Sequence, residues 1–155
     1  LELKEFFDFL KKRLKANVSI ALHPRCDKKN FNFYNDFFGG NCYQHQTLEL
    51  TAKSRLVLAH ASTTSLSFPI IFKKPVAFIT TNELDKYYYT FVTDRIVASI
   101  IKHPIINISS AANYDKIENF ENIDFEGYEK YFDEVIKRRD AEDISLWDLF
   151  LKHIK

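Results

Sequence analysis

The chain has 155 residues, 46% of them hydrophobic and 15% aromatic, with only three Gly and four Pro and a formal net charge of +1. Length and composition of this kind describe one globular domain with a real core and exclude a disordered or collagen-like chain. Two cysteines, Cys26 and Cys42, are too few for a disulfide scaffold, and no apolar run approaches the roughly 20 residues that span a bilayer, so a soluble chain in a reducing cytoplasm is expected.

Charge is distributed unevenly, with 12 basic and 6 acidic residues up to position 80 and 10 basic and 15 acidic after it. Any anion-binding surface is therefore expected in the first half. The sequence opens at Leu1, contains no Met and enters a helical pattern at once, which reads as a fragment of a longer protein.

Residues 1–16 place Leu3, Phe6, Phe7, Leu10 and Leu14 on one helical stripe, with lysines at the end that a helix C-terminus prefers. VSIAL (18–22) reads as a buried strand, followed by a long polar and aromatic loop running to Gln46, too long for a mere connector. A short helix near 47–53, the strand RLVLAH (55–60) and a helix from about Thr64 to Phe72 come next. PVAFIT (75–80) is a third strand, YYYTFVTDRIVASIIK a long helix closed by His103-Pro104, and IINIS (105–109) a fourth strand. Helix 125–139 follows, and a C-terminal helix within 142–155 carries Trp147, Phe150, Leu151 and Ile154 on one face. Strands without polar alternation, separated by helices, predict an α/β domain with a doubly wound, mostly parallel sheet of four or more strands.

Such sheets bind ligands beyond the carboxyl ends of their strands. His23-Pro24-Arg25 leaves the first strand at that edge, whereas His103-Pro104 enters the fourth from the opposite one. An imidazole and a bidentate guanidinium can both donate to a phosphate, so His23 and Arg25 are candidate anion ligands; the alternative is a surface pair beside a strand-ending proline. AHASTTSLSF (59–68) leaves the second strand at the same edge. One hydroxyl, from Ser62 or Thr63, suffices to cap the next helix; the surplus suggests a phosphate cradle at a helix N-terminus, or else a multiply capped turn.

A rival arrangement is His23-x2-Cys26 with Cys42-x2-His45, whose residue types and spacings a tetrahedral zinc accepts. The expectation is nevertheless that no metal and no cofactor is bound, because His23 has a role without one and a domain with its own core needs none. No Gly-rich phosphate loop, GxSxG elbow or HExxH motif is present. Aromatics without an interleaved basic patch argue against nucleic-acid binding. The acidic run of Asp115, Glu118, Glu121, Asp124 and Glu126 reads as a solvated connection.

A strand ending in HPR, followed by TLELTAKSRLVLAHASTTSLSFPIIFKKPVAFIT, resembles the nucleotide-binding C-terminal domain of bacterial GT-B glycosyltransferases, in particular the sialyltransferase-like and CDP-glycerol glycerophosphotransferase-like groups that build capsule and lipooligosaccharide. The likeness covers residues 17–81 closely and the remainder in architecture alone. It implies a Rossmann-like half of a GT-B fold and a CMP-, CDP- or UDP-linked donor. His23 matches the histidine that contacts the donor phosphate and carries the catalytic role, and Ser62 with Thr63 match the hydroxyl pair beside it. Glu49 stands where such families often place an acidic residue near the ribose, and Arg25 has phosphate or pyrophosphate as its implied partner. By the same likeness the acceptor site and usually the catalytic base belong to an N-terminal domain, and the chain alone is expected to bind donor without turning it over. A cytoplasmic enzyme follows, with a peripheral place at the inner membrane open to it. Two other readings remain: half of a nucleotide-sugar 2-epimerase, which shares the architecture, and a non-catalytic interaction domain that docks through its C-terminal helix.

Overall fold

Five consecutive residues with strand-forming or small side chains, Val76–Thr80, form strand β4 when strands are numbered along the chain, and all five are buried. Alternation across the pleat sends Val76 and Phe78 to one core and Ala77 and Ile79 to the other. A strand buried on both faces has to be central, and β3 (Val57–Ala59) and β5 (Ile105–Asn107) pair with it in parallel on either side, with Val57 opposite Val76 and Phe78 opposite Ile105. The structure, a computed structural model, describes residues 2–60, 64–117, 120–145, 148 and 151–152.

One face of this three-stranded sheet is covered by α1 (Glu2–Leu14), which buries Phe6, Phe7 and Leu10, and by the 3₁₀ turns of Ala111–Ile117. Glu2 and Glu5 in the first turn of α1 and Lys11, Lys12 and Arg13 in its last complement the helix dipole. Phe6 is fully buried and meets Tyr114 edge-on with ring centroids 4.9 Å apart. The opposite face is covered by α4 (Ser67–Ile71), α5 (Tyr88–Ile101) and α6 (Phe125–Tyr131), through Ile70, Val97, Ile101, Tyr128 and Tyr131. Burying each large side chain of these cores contributes about 1.5–3 kcal/mol.

The segment expected to be one long loop after the first strand is instead a helix and a strand. Asp27 caps α2 (Lys28–Phe37): its carboxylate accepts the Asn30 N–H at 2.9 Å and the Asn30 side-chain amide at 2.7 Å. Gly39 and Gly40, at φ +72° and +81°, end the helix in the left-handed region that glycine enters without strain, and the Gly40 N–H closes on the Asn35 carbonyl at 2.7 Å. The chain then returns as β2 (Cys42–Gln44), parallel to β1 (Ile20–Leu22). Ala21 is exposed and its neighbours half-buried, so β1 is not the fully buried strand that VSIAL suggests.

The short helix α3 (Thr47–Lys53) falls where it was expected. The other helices are shorter than their patterns: a 3₁₀ turn over Thr64–Leu66 precedes α4, and α6 continues as a π turn over Phe132–Ile136 instead of running to Arg139. At the C-terminus Leu151 is helical and exposed, and the rest of the expected apolar stripe, Trp147, Phe150 and Ile154, lies outside the described residues.

The architecture is α/β with parallel strands, but the single sheet of four or more strands is not formed among the described residues. Five short strands divide into a pair, β1-β2, and a triplet, β3-β4-β5. No backbone ladder joins the pair to the triplet among the described residues. Val18 and Ile20 from the β1 segment and Leu56 and Leu58 from the β3 segment pack against the same cluster of buried residues.

Candidate functional site

The chain leaves β1 at Leu22 and turns at once. Pro24, whose φ suits the second position of a β-turn, lets the Cys26 N–H donate to the His23 carbonyl at 2.9 Å. The next N–H, that of Arg25, donates to Nδ1 of the His23 ring at 3.0 Å. An Nδ1 that accepts a hydrogen bond carries no proton, so the neutral imidazole holds its proton on Nε2. His23 and Arg25 are both exposed, and the guanidinium has no carboxylate partner among the described residues. The turn thus presents an Nε2–H and a guanidinium within three residues at the carboxyl end of a parallel strand.

A residue that sequence reasoning missed holds this turn in place. The parallel register puts Gln44 opposite Leu22, and its side-chain amide donates to the carbonyls of Pro24 and Cys26 at 2.8 Å each and of His23 at 3.3 Å. Its only signal in the sequence was its place inside Cys42-x2-His45. His45, next along, takes φ +62°, a left-handed conformation for which histidine is among the more tolerant side chains.

The other expected site residues are placed less closely. Glu49 lies exposed in the first turn of α3, and no hydrogen bond or ion pair joins it to His23 or Arg25. Ser62 and Thr63 lie outside the described residues. The segment after them opens with a 3₁₀ turn, and Leu66, ahead of α4, is already helical and makes no side-chain cap bond. The expected cap by Ser62 or Thr63 thus lies outside the described residues, and the helix expected from about Thr64 begins as that 3₁₀ turn and runs on as the five-residue α4.

The zinc arrangement is not assembled. Cys42 is buried in β2, where desolvation, with a smaller contribution from Cys26, pushes its thiol pKa up and disfavours the thiolate that metals bind. Cys26 Sγ lies 3.7 Å from the Asp27 carbonyl. Among the described residues no three His, Cys, Asp or Glu side chains come together as a metal would need.

A second polar cluster lies at the carboxyl ends of β4 and β5. The Asp85 carboxylate accepts the Thr80 hydroxyl at 2.8 Å and the Asn107 amide at 3.1 Å, and that amide also reaches the Asn82 side chain at 3.0 Å. Ser109 closes the circuit, its N–H donating to Asn107 Oδ1 at 3.0 Å while its Oγ accepts the Asn82 N–H at 2.9 Å. These bonds fasten the two loops leaving the sheet to each other. The sequence signal for it is the density of short polar residues in TTNELD and INISS.

The second His-Pro pair behaves as its position requires. His103 is buried ahead of β5, its ring 5.8 Å from that of Tyr128, and Nε2 has no hydrogen-bond partner. Burial holds its pKa below the ordinary histidine value, against a smaller opposing pull from Asp124. No family model, curated protein or solved structure matches the chain. No helix among the described residues is long and apolar enough to cross a membrane.

Proposed function

We propose that this chain is the donor-binding domain of a bacterial surface-polysaccharide glycosyltransferase of the GT-B type, which grips the phosphate of a CMP-, CDP- or UDP-linked donor at the His23 turn. One observation carries the reading: an exposed imidazole whose Nδ1 is occupied by the Arg25 N–H, leaving Nε2–H as donor, in a turn that closes a parallel strand.

The fold that suits this function continues the two sheets as one, in the order β2-β1-β3-β4-β5. Strand order then reverses between β1 and β3, and the crevice at such a switch point is where nucleotides bind in open α/β sheets. The shared core under β1 and β3 supports this continuation. The exits from the two strands are His23-Pro24-Arg25 and His60 with the hydroxyl run after it.

In glycosyl transfer, negative charge grows on the leaving phosphate as the sugar acquires oxocarbenium character. Donors fixed in advance at that phosphate stabilise the transition state more than the ground state. His23 Nε2–H would supply one such donor and the Arg25 fork another, with Ser62 and Thr63 beside them and Glu49 toward the ribose. The acceptor and the catalytic base would come from a further domain, working in the cytoplasm at the face of the inner membrane.

Isothermal titration of CMP, CDP and UDP into the purified chain tests the proposal. Binding of at least one, abolished by His23→Ala, is the expected result; heat-silent titrations with all three would remove the basis for the reading. Selective binding of UDP-N-acetylglucosamine over CMP and CDP would move the chain to the 2-epimerases.

A further inference from the structure

The His23 ring is exposed, and among the described residues the Arg25 N–H is the one group that fixes it. Its orientation therefore depends on the backbone of the turn. That backbone brings the carbonyls of His23, Pro24 and Cys26 toward one point, an arrangement in which three oxygen dipoles repel unless a donor sits among them. Gln44 is that donor: its two N–H groups reach the Pro24 and Cys26 oxygens at 2.8 Å, and the His23 oxygen lies at 3.3 Å. No other side chain bonds to these three carbonyls among the described residues.

The position of Gln44 follows from the strand pairing. Because β2 runs parallel to β1 with Gln44 opposite Leu22, its side chain leaves the sheet beside the first residues of the turn. The buried Cys42 two residues earlier anchors β2, so the amide is held by the sheet and the turn is held by the amide. We infer that Gln44 is a positioning residue for His23: it sets the 23–26 turn and through it the Arg25–His23 hydrogen bond that makes Nε2 the donor offered to an anion. That the anion is a nucleotide phosphate rests on the donor-binding reading.

The test uses uniformly ¹⁵N-labelled protein and reads the nitrogen–nitrogen coupling across the Arg25 N–H···Nδ1 bond of His23. Wild type should show the coupling, Gln44→Met should lose it at unchanged side-chain size, and Gln44→Lys, which keeps N–H donors, should retain it. Amide resonances of the buried strand Val76–Thr80 report whether each variant is folded. If Gln44→Met is folded and keeps the coupling, the inference is overturned. CMP, CDP and UDP affinity is the second readout: Gln44→Met should bind the preferred nucleotide about tenfold more weakly, as expected when one anion contact is misplaced, and a loss of coupling with affinity unchanged would overturn the positioning role. Failure of wild type to bind any of the three, with the coupling present, would instead strike the donor-binding reading and leave Gln44 as the support of the turn.

Discussion

Nδ1 of His23 accepts the backbone N–H of Arg25 at 3.0 Å. The bond turns an exposed ring into a directed donor, because a neutral imidazole that accepts at one nitrogen must donate from the other. On the proposed donor-binding reading, histidine and arginine two residues apart would contribute two kinds of contact to a phosphate, a single N–H and a planar fork.

Both residues are exposed, so their loss should weaken ligand binding without weakening the fold. His23→Ala and Arg25→Ala are each expected to lower nucleotide affinity at least tenfold, the scale of a charge-assisted hydrogen bond. Thermal unfolding of both variants should stay within about 0.5 kcal/mol of wild type. A large loss of stability with affinity intact would assign the turn a structural task only.

His103 gives the fold a pH dependence whose sign is set by burial. Its pKa in the folded chain lies below the ordinary value near 6.5, so above that pH both folded and unfolded states hold it neutral and it costs nothing. As pH falls below about 6.5 the unfolded chain takes up a proton that the folded one refuses, and stability drops by up to about 1.4 kcal/mol per pH unit until the folded-state pKa is reached. Lys102 and Asp124 beside it form an ion pair at 2.6 Å that holds the carboxyl below its usual range, so its effect falls at still lower pH. Urea unfolding at pH 8, 6.5 and 5.5 should show the loss in wild type and a flatter profile in His103→Leu.

Gly127 lies where α6 crosses α5. A Cβ there would stand 2.4 Å from the Ile100 carbonyl oxygen and 3.0 Å from the Ile101 Cα. These are backbone atoms that cannot rotate away, so Gly127→Ala should force the helices apart. A destabilisation of about 1–3 kcal/mol, typical of an overpacked core, is expected in denaturant titrations, despite the better helix propensity of alanine.

Asp27 is the start signal of α2, with its carboxylate on the Asn30 N–H. Asp27→Ala should cost about 1 kcal/mol and fray the helix from its first turn, seen as faster amide exchange over residues 28–31. Exchange in β4, buried on both faces, should not change.

The sequence made the central strand and its neighbours legible because PVAFIT, RLVLAH and IINIS are short apolar runs separated by helix-length segments. The helix and strand between His23 and Gln46 were hidden by composition. Asn, Tyr and Phe in KKNFNFYNDF are weak helix formers, and the stretch reads as loop unless Asp27 and the Gly39-Gly40 pair are taken as its start and stop. The His23 turn was legible as chemistry, from residue types at a strand exit. Gln44 was not, since its role depends on the register between β1 and β2, which no local pattern encodes. The polar circuit of Thr80, Asp85, Asn107 and Ser109 was hidden for the same reason, its members coming from two separate strand ends.

Amide chemical-shift mapping with CMP, CDP and UDP tests the donor-binding claim most directly. Saturable shifts concentrated at His23, Arg25, Cys26 and Gln44 and in the segment from His60 to Leu66, produced by at least one of the three, are the predicted result. Unchanged spectra with all three, or shifts confined to residues remote from the exits of β1 and β3, would contradict it.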